Sequence, residues 1–382
     1  MSWPKVKLES LVKISKGKKH SLSERPTSTR YIQIDDLRND DLIKYTNDEA
    51  GVFVKKRDVI IAWDGANAGT IGYGLEGLIG STLAKLSIVN PEVDTEYLAR
   101  FLQSKFREIR DNCTGATIPH VSRAHLISLE IPFPSLKEQK RIAAILDKAD
   151  TIRRKRQQAI QLADDFLRSV FLDMFGDPVT NPKGFPLSIL SDFYISPKGG
   201  TKCGPFGSAL KKHEYVEDGV PVWNMDNISL NGKFTDSPRL WITKSKYFDL
   251  EAYSVENGDV IISRAGTVGK MGVVRSKSEH SIISTNLIRV RFGEKLRPEY
   301  FVNLMNYCKG RVGRLKTGPD GAFTHMNTGI LDKLEFPYPD IELQDKFIEI
   351  KEKVISSLEK SEKKDIDNLF NSLSQKAFAG EL

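Results

Sequence analysis

Two kinds of hydrophobic pattern alternate along the chain: short apolar runs, then long stripes at three-four spacing. Val59-Ile-Ile61, Leu86 to Val89, Val260-Ile-Ile262 and Leu287 to Val290 are short, rich in branched residues and bounded by Gly, Asn or Pro. That predicts strands of a mixed α/β globule. Glu96 to Arg110 and Glu299 to Arg311 read as helices of the same globules. Beyond Pro134 and Pro339 the period lengthens, with Pro just outside the helix start. Ile142, Ile145, Ala149, Ile152, Ala159, Ala163, Phe166 and Val170 form a heptad seam broken only by Arg156. They predict a helix over about Lys137 to Phe175, stopped by Gly176-Asp-Pro178. A second stripe, Phe347, Ile350, Val354, Leu358, Ile366, Phe370 and Leu373, predicts a helix over about Glu342 to Phe378 with a polar middle. A helix of about 38 residues is nearly 60 Å long, more than such a globule can cover, so the two are expected to pack on each other.

The chain also repeats itself. Tyr31-Ile-Gln-Ile-Asp-Asp-Leu37 returns as Val222-Trp-Asn-Met-Asp-Asn-Ile228, and Asp58-Val-Ile-Ile61 as Asp259-Val-Ile-Ile262. Ala68-Gly-Thr-Ile-Gly72 matches Ala265-Gly-Thr-Val-Gly269, Ser81-Thr82 matches Ser284-Thr285, and Glu96-Tyr97 matches Glu299-Tyr300. Leu129-Glu-Ile-Pro-Phe-Pro134 becomes Leu334-Glu-Phe-Pro-Tyr-Pro339, with Gln139 and Gln344 at the same distance beyond. So many matches in one order describe a duplicated unit far longer than a solenoid repeat.

Composition narrows the function. The 382 residues suffice for two or three domains, and 40% hydrophobic with 28% charged residues is ordinary for a folded soluble protein. Charge is mixed into Met1 to Ser10, which argues against a signal peptide, and no apolar run nears the roughly 20 residues needed to span a bilayer. Cys113, Cys203 and Cys308 are far apart, so neither a disulfide framework nor a zinc site is expected, and a reducing cytoplasm is the natural compartment. A net charge of +7 makes an acidic polymer a plausible partner.

Several motifs resemble those of the specificity subunit of type I restriction-modification systems. Ile131-Pro-Phe-Pro-Ser-Leu-Lys-Glu-Gln139 with Arg141-Ile-Ala-Ala-Ile-Leu146 is similar to the family's central conserved region, and Phe171-Leu-Asp-Met-Phe-Gly-Asp-Pro178 to its end. Pro337-Tyr-Pro-Asp-Ile-Glu-Leu-Gln344 and Ala377-Phe-Ala-Gly-Glu-Leu382 resemble the distal conserved region. Gly204-Pro-Phe-Gly-Ser208, Gly219-Val-Pro221 and Gly266-Thr-Val-Gly269 resemble a common type of target-recognition domain. The first globule lacks Gly-Pro-Phe-Gly-Ser and inserts Trp63-Asp-Gly-Ala-Asn67 where the second has only Arg264, so the two are expected to read different bases. The resemblance implies an α+β fold class, with two mixed α/β target-recognition domains over residues 1–135 and 179–340. Between them it implies two long antiparallel coiled-coil helices, residues 136–178 and 341–382, in a pseudo-twofold repeat. It further implies split double-stranded DNA as ligand, two methyltransferase subunits and translocase-nuclease restriction subunits as partners, and no catalysis or cofactor of its own.

Base reading needs donors and acceptors on loops, and affinity needs Lys and Arg aimed at phosphates. In the first globule the candidates are Lys16, Lys18, Lys19 and His20, then Thr114, Thr117, His120 and Arg123. In the second they are Lys202, Ser208, Lys211, Lys212, Arg264, Arg311, Arg314, Lys316, Thr317 and His325. Each basic residue taken singly reads equally well as a solvated charge; the clusters carry the argument. Arg153-Arg-Lys-Arg156 is either a solvated helix face or a phosphate contact, Gly69 and Gly266 read as turns with positive φ, and Trp3, Trp63, Trp223 and Trp241 as buried anchors.

Two rival functions fit parts of the sequence. Asp340, Glu349 and Lys351 fit the spacing of a metal-dependent endonuclease motif, but that chemistry sets its groups on adjacent strands, and here two of them fall on a predicted helix. A protein-binding coiled-coil adaptor is the other. No phosphate-binding G-x-x-x-x-G-K-[ST] and no Asn-Pro-Pro-Tyr or Asp-Pro-Pro-Tyr occurs, and the six His residues lack partners at metal-ligand spacing.

Overall fold

Every residue of the strand Val59–Ala62 is buried because both faces of the strand are covered. Val59 and Ile61 share a core with Leu98, Phe101 and Leu102 of the helix Thr95–Ser104, whereas Ile60 and Ala62 pack with Ile32, Val54 and Ile79. Side chains alternate across a strand, so one lying between two layers reads as an unbroken apolar run. The strand Val260–Ser263 does the same: Val260 and Ile262 pack with Phe301 and Leu304, and Ile261 with Trp223 and Ile283.

The computed structural model describes residues 3–24, 28–38, 42–115, 117–206, 209–265, 267–308, 326–360 and 366–382. Two units emerge, Met1–Gln158 with Glu362–Leu382, and Ala159–Ser361. In the first, an antiparallel sheet has the order Val12–Lys16, Leu83–Ile88, Val59–Ala62, Ile71–Tyr73. A second sheet has the order Tyr45–Thr46, Thr29–Ile32, Gly77–Ile79, Phe53–Val54, its middle pair parallel. Lys5–Lys7 pairs with Glu130–Pro132 and closes the globule. The second unit repeats this plan: Thr201–Cys203, Leu287–Val290, Val260–Ser263, Met271–Val273 in one sheet, and Trp241–Ile242, Val220–Trp223, Ile282–Ile283 in the other, again with one parallel pair. Leu187–Ile189 pairs with Glu335–Pro337 as the closing ribbon. The α+β class and the internal repeat therefore hold.

The repeated residues turn out to be fasteners. Buried Gln139 accepts from Asp94 N–H at 2.9 Å and donates to the Glu92 and Pro134 carbonyls, each at 3.0 Å. Buried Gln344 accepts from Arg297 N–H at 2.9 Å and donates to the Pro339 carbonyl at 2.9 Å. Tyr97 and Tyr300 donate their hydroxyls to the carbonyls of Pro132 and Pro337. Asp58 and Asp259 accept the N–H groups of Lys55 and Glu256 and close equivalent turns.

The first long helix is Leu136–Phe175, ending where Gly176 takes a φ of 72° and donates to the Leu172 carbonyl. The expected helix over Glu342 to Phe378 is present as Ile341–Lys360 and Ile366–Ala379, and residues 361–365 of its polar middle lie outside the described residues. The other predicted helices are Thr95–Ser104 with Phe106–Asp111, and Pro298–Cys308. Within the first unit Arg141 bonds the Leu382 carbonyl and Arg153 lies over Phe370, so the two helices run antiparallel. Within the second, Phe171 and Phe175 each meet Phe347 at 5.5 Å and pack against Tyr300. Burying each Phe contributes roughly 1.5–3 kcal/mol.

The seam on the first helix needs one correction. Ile152 and Phe166, expected in the seam, are 54% and 52% exposed, and Ala159 is exposed as well. Leu146 is buried, and Arg153, Ile160 and Leu167 are half-buried in their stead. One half of the heptad is thus shifted by one residue, while Ile142, Ala149, Ala163 and Val170 keep their places. Arg153 joins the seam because its stem can lie along the Phe370 ring while its head bonds Asp150 at 2.7 Å. Arg154 also pairs with Asp150, so this carboxylate engages two neighbouring members of the basic run. Of the tryptophans only Trp223 is fully buried; Trp3, Trp63 and Trp241 are half-covered. Among the described residues no helix is long and apolar enough to cross a membrane.

Candidate nucleic-acid interface

Strand register brings distant loops to one end of each main sheet. Lys16 pairs with Ala84 and Ala62 with Leu83, so the segments after Lys16 and Ala62 and the one before Leu83 emerge side by side. In the second unit Cys203 pairs with Ile288 and Ser263 with Leu287, which gathers the loops after Cys203 and Ser263 and before Leu287. Gly17 and Gly204 occupy equivalent places, donating to the carbonyls of Leu83 and Leu287 at 2.9 Å each. A Cβ on Gly17 would stand 2.2 Å from the Gly80 oxygen, and one on Gly204 would stand 1.9 Å from the Ser284 oxygen. The loop at Lys16 to His20 is therefore the first unit's counterpart of Gly204-Pro-Phe, an equivalence hidden because only the glycine is shared.

In the first unit the inserted segment forms the centre of the site. Gly65 donates to the Pro119 carbonyl and Val121 to the Trp63 carbonyl, both at 2.9 Å, so residues 63–65 and 117–121 make one surface. Thr114 and His120 exchange backbone hydrogen bonds at 2.7 and 2.9 Å. Asp64 sits between two predicted residues: Lys16 Nζ reaches Oδ2 at 2.7 Å and His120 Nδ1 lies 2.5 Å from Oδ1. Burial opposes ionisation of Asp64, but the hydrogen bonds and charges of His120 and Lys16 outweigh it and hold the carboxyl below its ordinary value. Lys18, Lys19, Thr117 and Arg123 are exposed. Arg123 opens the helix Arg123–Ser128, the end least favourable to a cation. Gly69, with φ 92°, fits the predicted turn.

His20 does not belong to this surface. Its side chain is 1% exposed, its Nδ1 meets Asp48 at 3.1 Å, and its ring packs edge-on against Tyr31. A group so enclosed cannot reach a base, and its role is to hold the loop that carries the lysines.

In the second unit Lys202 lies over the Tyr253 ring at 5.1 Å, and Lys211 and Lys212 are exposed at the short turn Lys212–Glu214. The Arg264 guanidinium stands over Phe206 at 4.5 Å. Ser208, Arg311, Arg314, Lys316, Thr317 and His325, as well as Gly266, lie outside the described residues. Sequence reasoning missed Asp64, Phe206 and Arg38, whose Nη2 donates to Asn67 of the inserted loop at 2.7 Å. The signal for Asp64 was the insertion itself, a polar acceptor set where the other globule has a base; the signal for Phe206 was an aromatic in a Gly-bounded loop.

The endonuclease pattern is dispersed. Glu349 and Lys351 both lie on the helix Ile341–Lys360, Glu349 bonds Lys353 at 2.6 Å, and burial pushes the Lys351 ammonium below its ordinary value.

The model of the type I restriction modification DNA specificity domain matches residues 2–162 and 206–368. The type I restriction enzyme MjaVIII specificity subunit of Methanocaldococcus jannaschii is 27% identical over 393 residues, covering 95% of this chain and 90% of that subunit. The EcoBI specificity subunit of Escherichia coli is 20% identical over 422 residues, covering 100% of this chain and 86% of that one. The crystal structure of the type I restriction-modification S subunit from M. genitalium matches with a TM-score of 0.62 at 18% identity, over 99% of this chain and 96% of that one, a likeness of fold. Two matched segments over most of the chain, on a duplicated fold whose loops converge at equivalent sheet ends, place it: the chain belongs to the type I restriction-modification specificity subunit family.

Proposed function

We propose that the chain reads a split double-stranded DNA target for a type I restriction-modification complex, each globule recognising one half. Residues 1–135 and 179–340 serve as the target-recognition domains, and residues 136–178 and 341–382 as the helical spacer that separates the half-sites. Two methyltransferase subunits dock on this scaffold and translocase-nuclease subunits complete the restriction complex. The chain itself carries no catalysis and works in the cytoplasm. The observation that carries the reading is the convergence of basic loops at the same sheet end in both units, Lys16 to Lys19 in one and the Gly204 loop with Arg264 in the other. Phosphate contacts position such a protein and base contacts specify its site. The two globules present different side chains on one backbone plan, as reading two unrelated half-sites requires.

The test is binding by the chain assembled with its methyltransferase, using the selected duplex and a scrambled one. A specific complex should bind its target about a thousandfold or more tighter. Equal affinity for both duplexes, or cleavage of plasmid by the chain alone with Mg²⁺, would sink the reading.

A further inference from the structure

Arg264 follows the last residue of the buried strand Val260–Ser263. Its backbone N–H donates to the Asn286 carbonyl at 2.9 Å, which fixes where the side chain departs. The next turn is also secured, since buried Ser263 accepts from Lys270 N–H at 2.9 Å through its hydroxyl. The guanidinium is carried over the face of Phe206, 4.5 Å from the ring centre, and Phe206 is itself 52% exposed. Phe206 in turn hangs from Gly204, which is pressed against the Ser284 carbonyl. Among the described residues no carboxylate is paired with the Arg264 side chain, so its N–H fork is not committed within the described protein.

A cation that only neutralises phosphate needs no such mounting. A guanidinium held over a ring keeps its planar fork in a restricted orientation, which suits bidentate recognition. Among base edges, guanine O6 and N7 in the major groove form the acceptor pair that an Arg fork matches. We propose that Arg264, positioned by Phe206, reads a guanine in the half-site recognised by the second globule. This rests on the DNA-reading function proposed above and adds a residue and a base to it.

The experiment uses the chain assembled with its methyltransferase and selection from randomised duplexes. Wild type should show one guanine in one half-site whose replacement by 7-deazaguanine, which lacks N7, weakens binding about tenfold or more. Arg264→Ala should lose preference at that base by about ten- to a hundredfold and become indifferent to the 7-deaza change, with the other half-site unaltered. Arg264→Lys, which keeps charge but not the fork, should lose the same preference. Phe206→Leu should weaken it and Phe206→Tyr preserve it. Two results would overturn the proposal: Arg264→Ala weakening all duplexes equally with the salt slope lowered by roughly 0.9, the mark of a phosphate contact, or every base preference unchanged. Intact preferences at the remaining bases of the half-site read by the second globule confirm that a variant has folded. Absence of any preference in wild type would instead overturn the proposed function itself.

Discussion

Single positions at the loop mouths carry the most constraint. Gly17 and Gly204 face carbonyl oxygens closer than any Cβ tolerates, and neither oxygen sits on a side chain that could swing away. Gly204→Ala and Gly17→Ala are expected to cost roughly 1–3 kcal/mol each, read as a lowered thermal midpoint. Asp64 gives a pH signature. Its folded carboxyl titrates below the unfolded value of roughly 3.9, so its pairing with Lys16 and His120 contributes stability that is complete above that value and is lost as pH falls through the folded one. The stability gap between wild type and Asp64→Asn, measured by urea unfolding, should therefore be larger at neutral pH and close below about pH 4; a gap that widened in acid would contradict the assignment. Residue roles were the least legible part of the sequence. His20 reads like its basic neighbours, yet which side of that loop faces inward depends on Tyr31 and Asp48, partners that no local pattern reveals.

Secondary structure was legible wherever period and punctuation agreed, as in the helix Leu136–Phe175, and uncertain where two periods fit equally. That helix offers two heptad seams sharing Ile142, Ala149, Ala163 and Val170, and the more apolar alternative is the one with Ile152 and Phe166 exposed. The packed alternative admits Arg153 because Phe370 and Asp150 receive its stem and head, a tertiary compensation invisible in one strand of sequence. Leu167→Ala should accordingly destabilise the chain by about 1–2 kcal/mol, and the larger truncation Phe166→Ala by less than about 0.5 kcal/mol. Thermal unfolding of the two variants settles the register, and the reverse order would restore the seam that the apolar count favours.

At the scale of the whole molecule the duplication was the clearest feature of the sequence, because its recurring residues are fasteners that the fold cannot exchange freely: Gln139 and Gln344, Tyr97 and Tyr300, Asp58 and Asp259. The loops between them differ between the two units and repeat little. Replacing residues 1 to about 134 with the matching segment of a relative should change one half of the recognised sequence and leave the other intact, as read by selection from randomised duplexes with the assembled complex. The exchange should succeed only if the graft keeps the equivalent of Arg100, which binds Asp147 at 2.8 Å and Asp150 at 2.9 Å at the head of the long helix. Those fasteners hold one unit that is not continuous in sequence. Ala377 is wholly buried in the first unit's core, and Phe378 meets Tyr97 and Phe101 at 5.5 and 5.3 Å. On the ribosome, then, the first globule to emerge waits with an apolar seat unfilled while about two hundred further residues are made, and the second unit, an uninterrupted stretch, has everything it needs sooner. The order of synthesis and the order of completion are opposite, and the half that is translated first is the half most in need of protection from aggregation until the last helix arrives.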